Sequence, residues 1–238
     1  MRTLIYVPII HSSADMGSLG KELKHKSADG STGNKWQKHS ETVNGYWDVI
    51  ESYFENINIG IKGVKIFQDG MFVDGEIALK IINEGIKSGS KNSKIISKLI
   101  GRGAILIQTE DFEMVKDEYD GFKSILKSKN NITKLFRLLR YKISKSIFLI
   151  RRDKFISARI AKTLEQNETG ILFIGAYHNI IKRLPKDIEV IELKEIAKVR
   201  EYQKIIQSNS KTKKLQFEQL MKYLIENDKN SGNRLQQG

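Results

Sequence analysis

Residues 171–178 read ILFIGAYH: four large apolar side chains in an unbroken run, then Gly175, Ala176, Tyr177 and His178. A short apolar run without polar alternation, closed by a glycine, predicts a buried strand at 171–175. Residues 3–10, TLIYVPII, show the same pattern over a longer stretch, as expected of a strand covered on both faces of a parallel sheet. Further strands are predicted at 61–67 (IKGVKIF), 104–108 (AILIQ) and 188–193 (IEVIEL). Between them the apolar spacing becomes helical. Val43, Tyr46, Trp47, Ile50, Tyr53 and Phe54 mark a helix over 41–57. Two helices at 76–88 and 91–100 are separated by Gly89-Ser90, and the GRGA turn at 101–104 reads as a helix C-cap rather than a phosphate loop. Residues 131–166 read as two helices hinged near 144–146, and 196–207 and 211–227 as two more.

Strands alternating with helices predict an α/β fold, a mostly parallel central sheet flanked by helices, in a single domain over 1–227. Residues 11–40 are a polar stretch in which 21–40 is expected to be a mobile loop, with His25 and His39 solvated. Residues 228–238 are expected to form a disordered tail.

Composition narrows the chemistry. The 238 residues contain no cysteine, which excludes a disulfide scaffold, a thiolate zinc site, an iron–sulfur cluster and a thiol nucleophile. The first apolar run is too short to cross a bilayer, and no later one approaches the roughly 18 uninterrupted apolar residues of a spanning helix. A cytoplasmic protein without membrane insertion is therefore expected. Lys and Arg number 41 against 28 Asp and Glu, a formal charge of +13. Such a field attracts an anionic or phosphorylated ligand or nucleic acid, although a Lys-rich genome produces the same balance. The excess is densest over 123–154, where Lys and Arg recur with little acid among them.

The residues that follow each predicted strand carry the functional signal, because ligands of parallel α/β sheets bind outside the carboxyl ends of the strands. The first strand runs into His11, the second into Gln68 and Asp69, the third into Thr109 and Glu110, and the fourth into Tyr177 and His178. Thr109 reads as the N-cap of a helix that opens with Glu110 and Asp111. If the four strands are parallel neighbours, two histidines and several carboxylates converge at one edge. Such a set can hold a divalent metal or supply a general acid and base. Taken singly, each residue also has a structural explanation: a histidine bonded to a loop carbonyl, an acidic residue at a helix start, or an ordinary turn at Gln68-Asp69-Gly70. Asn92, in the GSKN stretch at 89–92, and Asp153 join Gln68, Asp69 and Tyr177 as candidate substrate contacts. Arg152 opens an Arg-Asp step that could aim a guanidinium at an anion. The Walker, dinucleotide and G-x-S-x-G nucleophile patterns are all missing.

RRDKFISARIAKTL at 151–164, followed by ILFIGAYH, resembles the closing motifs of the TraB/PrgY/GumN/Tiki group, related to the erythromycin-esterase-like and ChaN-like proteins. In that group an Arg-Asp step starts a helix and a later strand ends in G-x-x-H, positions matched here by Arg152, Asp153, Gly175 and His178. The resemblance implies an α/β domain with metal-dependent hydrolase or peptidase activity. His11 and His178 would then be metal ligands (Zn, Mn or Fe), Glu110 a ligand or general base, and Arg152 an anion clamp. Two other readings are carried beside it: a basic nucleic-acid or nucleotide-binding module, and a catalytically inactive regulatory domain. In the last, the amphipathic C-terminal helix, with Leu215, Phe217, Leu220, Tyr223 and Leu224, could serve as a homodimer or partner surface.

Overall fold

The computed structural model describes residues 1–11, 33–57, 59–117, 120, 131–207 and 213–226, with the side chains of 33–34 and 131–146 left aside. Five strands form its sheet: β1 (Arg2–Ile9), β2 (Lys65–Gln68), β3 (Ile105–Ile107), β4 (Thr169–Gly175) and β5 (Ile188–Glu192). They are parallel throughout and lie in the order β3-β2-β4-β1-β5. The helices are α1 (Gly33–Asn56), α2 (Gly75–Lys87), α3 (Lys91–Gly101), α4 (Asn131–Thr163), α5 (Ile196–Gln207) and α6 (Lys214–Ile225), with a further helical segment at 112–117. No described helix is long and apolar enough to cross a membrane.

The pleat of β1 explains the layers. Successive side chains of a strand point to opposite faces. Ile5, Val7 and Ile9 pack with Tyr46, Trp47, Ile50 and Phe54 of α1, with Val199 and Tyr202 of α5, and with Phe217, Leu220 and Leu224 of α6. Leu4 and Tyr6 point the other way, against Ile156 and Ile160 of α4. An apolar run without alternation is thus the signature of a sheet covered on both sides.

Several boundaries differ from the sequence reading. Helix α1 starts at Gly33, so 33–40 is helical and not loop; residues 21–32, His25 among them, and the tail 228–238 lie outside the described residues. His39 is therefore not a solvated loop residue. Its Nδ1 stands 2.7 Å from the Tyr202 hydroxyl, and burial, with the nearby Lys35 charge, lowers its pKa to about 4. Strand β2 is shorter than 61–67, because Gly63 turns the chain with a positive φ and donates its N–H to Gly103 O at 2.8 Å. Helix α4 runs unbroken, without the hinge expected near 144–146.

Helix α6 turns Phe217, Leu220 and Leu224 into the core, while Leu215 is 70% exposed. Its C-terminal end is held by Lys194, only 2% exposed, whose ammonium donates to Tyr223 O at 2.9 Å and Glu226 O at 2.6 Å and lies 4.8 Å from the Tyr223 ring centre. The last carbonyls of a helix have no intrahelical donor, so a buried cation there replaces water. Lys194→Met is expected to cost about 2–3 kcal/mol, the scale of charged hydrogen bonds lost from a buried site. Amide exchange over 220–226 should accelerate beyond the global loss. Unchanged exchange there would mean that solvent already satisfies those carbonyls.

Candidate active site

The order β3-β2-β4-β1 places side by side the four strands whose exits carry the polar candidates. Register fixes their level: Phe67 lies opposite Ile107, Gln68 opposite Phe173, and Ile9 opposite Gly175. The exits at Asp69, Thr109, Ala176 and Ile10 therefore share one edge of the sheet.

Arg152, near the middle of α4, is the centre of the arrangement. Its Nε donates to Glu110 Oε2 at 2.5 Å, and its Nη2 donates to Glu110 Oε1 at 2.6 Å and Asp69 Oδ1 at 2.7 Å. Glu110 Oε1 also accepts the Gly70 N–H at 2.6 Å. Asp69 Oδ2 accepts the Gly175 N–H at 3.0 Å, and a Cβ added to Gly175 would stand only 3.3 Å from that oxygen. A side chain at the β4 exit would therefore crowd the Asp69 carboxylate.

The second unit is His178 with Asp153. His178 Nδ1 lies 2.6 Å from Asp153 Oδ1, while Asp153 Oδ2 accepts the Asn179 N–H at 2.9 Å. The other ring nitrogen, Nε2, faces Asp69 Oδ2 at 3.7 Å. Both residues of the pair are buried. Burial disfavours the imidazolium, but the Asp153 hydrogen bond and the Asp69 charge outweigh it and raise the His178 pKa above its ordinary value. Asp69 moves the other way: burial alone would raise it, yet His178 and Arg152 hold its carboxyl at about 2. Glu110, 1% exposed, is raised, chiefly by burial and against the Arg152 bond.

The sequence candidates separate into three groups. Asp69, Glu110, Arg152, Asp153 and His178 form one connected network. Gln68 and Asn92 sit beside it: Asn92 Nδ2 donates to Gln68 Oε1 at 3.2 Å, and Asn92 Oδ1 is buried with no hydrogen-bond partner among the described residues. His11 is exposed just past β1, close enough for its charge to act on Asp69, and Tyr177 is 40% exposed.

Two expectations change. Arg152 is not open toward a ligand through the donors named above, since two carboxylates take them. Thr109 is not an N-cap: its hydroxyl donates to Ile107 O at 2.9 Å and accepts the Gln68 N–H at 3.0 Å, tying β3 to β2. Asp111 does the capping, with Oδ1 accepting the Met114 N–H at 3.1 Å.

The fit to a divalent metal can be read from the donors. Both Glu110 oxygens accept from Arg152. Among the described residues no group of three or more His, Asp or Glu side chains stands together as a metal-holding cluster.

Two further residues escaped the sequence reading. Tyr6 is the one phenol in the β1 run, and a polar tip inside a strand covered on both faces was its available signal. Arg200 of α5 donates from Nε and Nη2 to Ala176 O at 3.0 and 2.7 Å. In sequence it is one more basic residue of a basic chain.

Fold and site together define an open, wholly parallel α/β protein with a histidine–carboxylate centre at the carboxyl edge of its sheet. No family model, curated protein or solved structure matches this chain.

Proposed function

We propose that this protein is a hydrolase in which His178 is the general acid and base, Asp153 its orienting carboxylate and Asp69 the stabiliser of the protonated ring. The observation that carries the reading is the pair itself: Nδ1 held by a buried aspartate, with Nε2 turned toward a second carboxylate at the strand exits. With Nδ1–H donated to Asp153, the neutral ring presents its Nε2 lone pair. That nitrogen can take a proton from water as the water oxygen bonds to an electrophilic centre, and return it to the leaving group as the old bond breaks. The raised pKa of His178 favours the imidazolium formed between those steps. Asp69, held ionised by Arg152 and the Gly175 N–H, supplies negative charge near that ring rather than acting as the base.

A second reading keeps the metal. Histidines that bind metals usually donate their other ring N–H to a carboxylate, the relation Asp153 has to His178. A Zn, Mn or Fe ion would then draw on His178 and Asp69, with His11 nearby, and would supply a water of lowered pKa.

His178→Asn separates these readings from a structural role, because its amide can still donate to Asp153 and preserve the fold. In a screen of ester, amide and phosphoester substrates, turnover should fall by about 10²–10⁴-fold while the melting temperature moves little. Full activity in the variant would remove His178 from the chemistry. Stoichiometric metal in the native protein, lost in Asp69→Asn, selects the metal reading; activity indifferent to chelators selects the metal-free one. A chain that hydrolyses none of these yet binds nucleic acid with steep salt dependence belongs to the basic binding class instead.

A further inference from the structure

Arg200 and Arg152 stand at the same edge of the sheet in different electrostatic states. Arg152 is neutralised by Asp69 and Glu110. The Arg200 guanidinium has no carboxylate within ion-pair distance among the described residues; its partners there are one backbone oxygen, Ala176 O, and the Tyr177 ring, whose centre is 6.0 Å away. A bond to a neutral carbonyl fixes the direction of a guanidinium without cancelling its charge. Ala176 lies two residues before His178, so this charge is held at the strand exit that carries the proposed base.

A second unsatisfied donor lies on the neighbouring strand, β1. Tyr6 is fully buried, and its hydroxyl has no hydrogen-bond partner among the described residues. Leaving such a group unmade is costly, and native proteins rarely do so without a water or ligand to complete it. The hydroxyl sits within electrostatic reach of Asp69, Arg200, Asp153 and Glu192. Three of these are acidic, but Asp69 is paired with Arg152, Asp153 with His178, and one Glu192 oxygen accepts the Ile196 N–H at 2.8 Å. Burial, aided by the Asp69 charge, pushes the phenol well above its ordinary pKa, so it remains a donor. With Nε and Nη2 on Ala176 O, the guanidinium keeps its Nη1 N–H groups to give, and these with a neutral O–H donor fit an oxyanion.

We propose that Arg200 and Tyr6 form the anion subsite of the His178 centre, holding a carboxylate or phosphate group of the substrate beside the reacting bond. The inference rests on the hydrolase reading and narrows its substrates to anionic ones, with the anion taken by Arg200 and not by Arg152. Arg200 is a binding residue here, with no proton to transfer. Tyr6 completes the site directly or through one water.

The test is calorimetric titration of the full chain with inorganic phosphate, and separately with acetate, at about 0.15 M chloride so that the general positive field is screened. Arg200→Gln should weaken phosphate binding about tenfold or more, as expected for loss of a charge-assisted hydrogen bond. Tyr6→Phe should weaken it several-fold without lowering the melting temperature, because the hydroxyl makes no bond whose loss would destabilise the fold. Lys186→Gln, exposed at the opposite end of the sheet just before β5, should leave it within twofold of native. Preference for phosphate over acetate, or the reverse, identifies which oxyanion the subsite takes. Native affinity in Arg200→Gln, or no saturable binding of either anion to the native chain, overturns the proposal. Should Arg200→Gln fail to fold, native affinity in Tyr6→Phe overturns it. Anion binding is measured without turnover, so an active His178→Asn would defeat the hydrolase reading while leaving this result to stand or fall separately.

Discussion

Arg152→Met is expected to destabilise the protein by about 3–5 kcal/mol at neutral pH, the usual cost of removing one partner from a buried ionic group. The guanidinium lies between Glu110 and Asp69, and the deeply buried Glu110 would be left with the Gly70 N–H while Asp69 would keep the Gly175 N–H and the nearby His178 ring. A shift of roughly 10 °C in melting temperature follows for a chain of this size. The pH dependence identifies the cause. In the native protein Asp69 is depressed to about 2, so its contribution is present above its unfolded pKa near 3.8 and is lost as the pH falls through 2. Without Arg152 that depression loses one of its two main supports, while Glu110, already raised, rises further. Both groups then take up protons more readily when folded. The deficit of the variant should therefore be largest at pH 7 and shrink below pH 4. Arg152→Lys should recover only part of the loss, since an ammonium cannot reproduce the fork. Urea unfolding at both pH values measures this, and a pH-independent deficit would point to lost packing instead.

The same centre shows what was legible in the sequence. Alternating apolar runs and helical spacings predict the α/β fold, because burial on both faces leaves its mark on each strand separately. The convergence of Asp69, Glu110 and His178 was readable as a conditional, since parallel neighbours bring their exits together and the order β3-β2-β4-β1 meets the condition. Partnerships were not readable. Glu110 looks like a ligand or a helix-start acid until Arg152, 42 residues away, takes both its oxygens. Thr109 before two acids has the local form of an N-cap, but the N–H it satisfies belongs to Gln68 of the neighbouring strand. His39 reads as solvated from its polar surroundings, whereas its partner Tyr202 lies 163 positions on. Local patterns report which surface a segment must hide; they carry no record of which distant donor meets which acceptor. Arg200 is the extreme case: nothing around it in the sequence records that its guanidinium reaches Ala176 O, 24 positions away.

Asp153→Asn is expected to change the proton inventory of His178 more than its position. The amide can still accept from Asn179 N–H and fills the same volume, but it carries no charge and presents a donor where a carboxylate oxygen accepted. The neutral ring should answer by moving its proton to Nε2, so that Nδ1 accepts from the amide. Nε2 would then donate toward Asp69 and no longer offer a lone pair to water. Under the proposed hydrolase reading, turnover should fall by about 10²–10⁴-fold on this ground alone. Stability should change with a defined sign. His178 titrates above 6.5 when folded, so the native protein gains stability that is fully present below pH 6.5 and lost as the pH rises through the folded value. Removing the Asp153 charge lowers that value, so the variant should be weaker by about 1.5–3 kcal/mol near pH 5.5 and approach native stability above the native pKa. Nitrogen chemical shifts of the His178 ring, followed across that range, report both the lowered pKa and the changed tautomer. An unchanged titration would place the source of the raised pKa in Asp69. The proposed base would then be tuned from the strand exit rather than from α4, and Asp69→Asn would become the variant that lowers the His178 pKa.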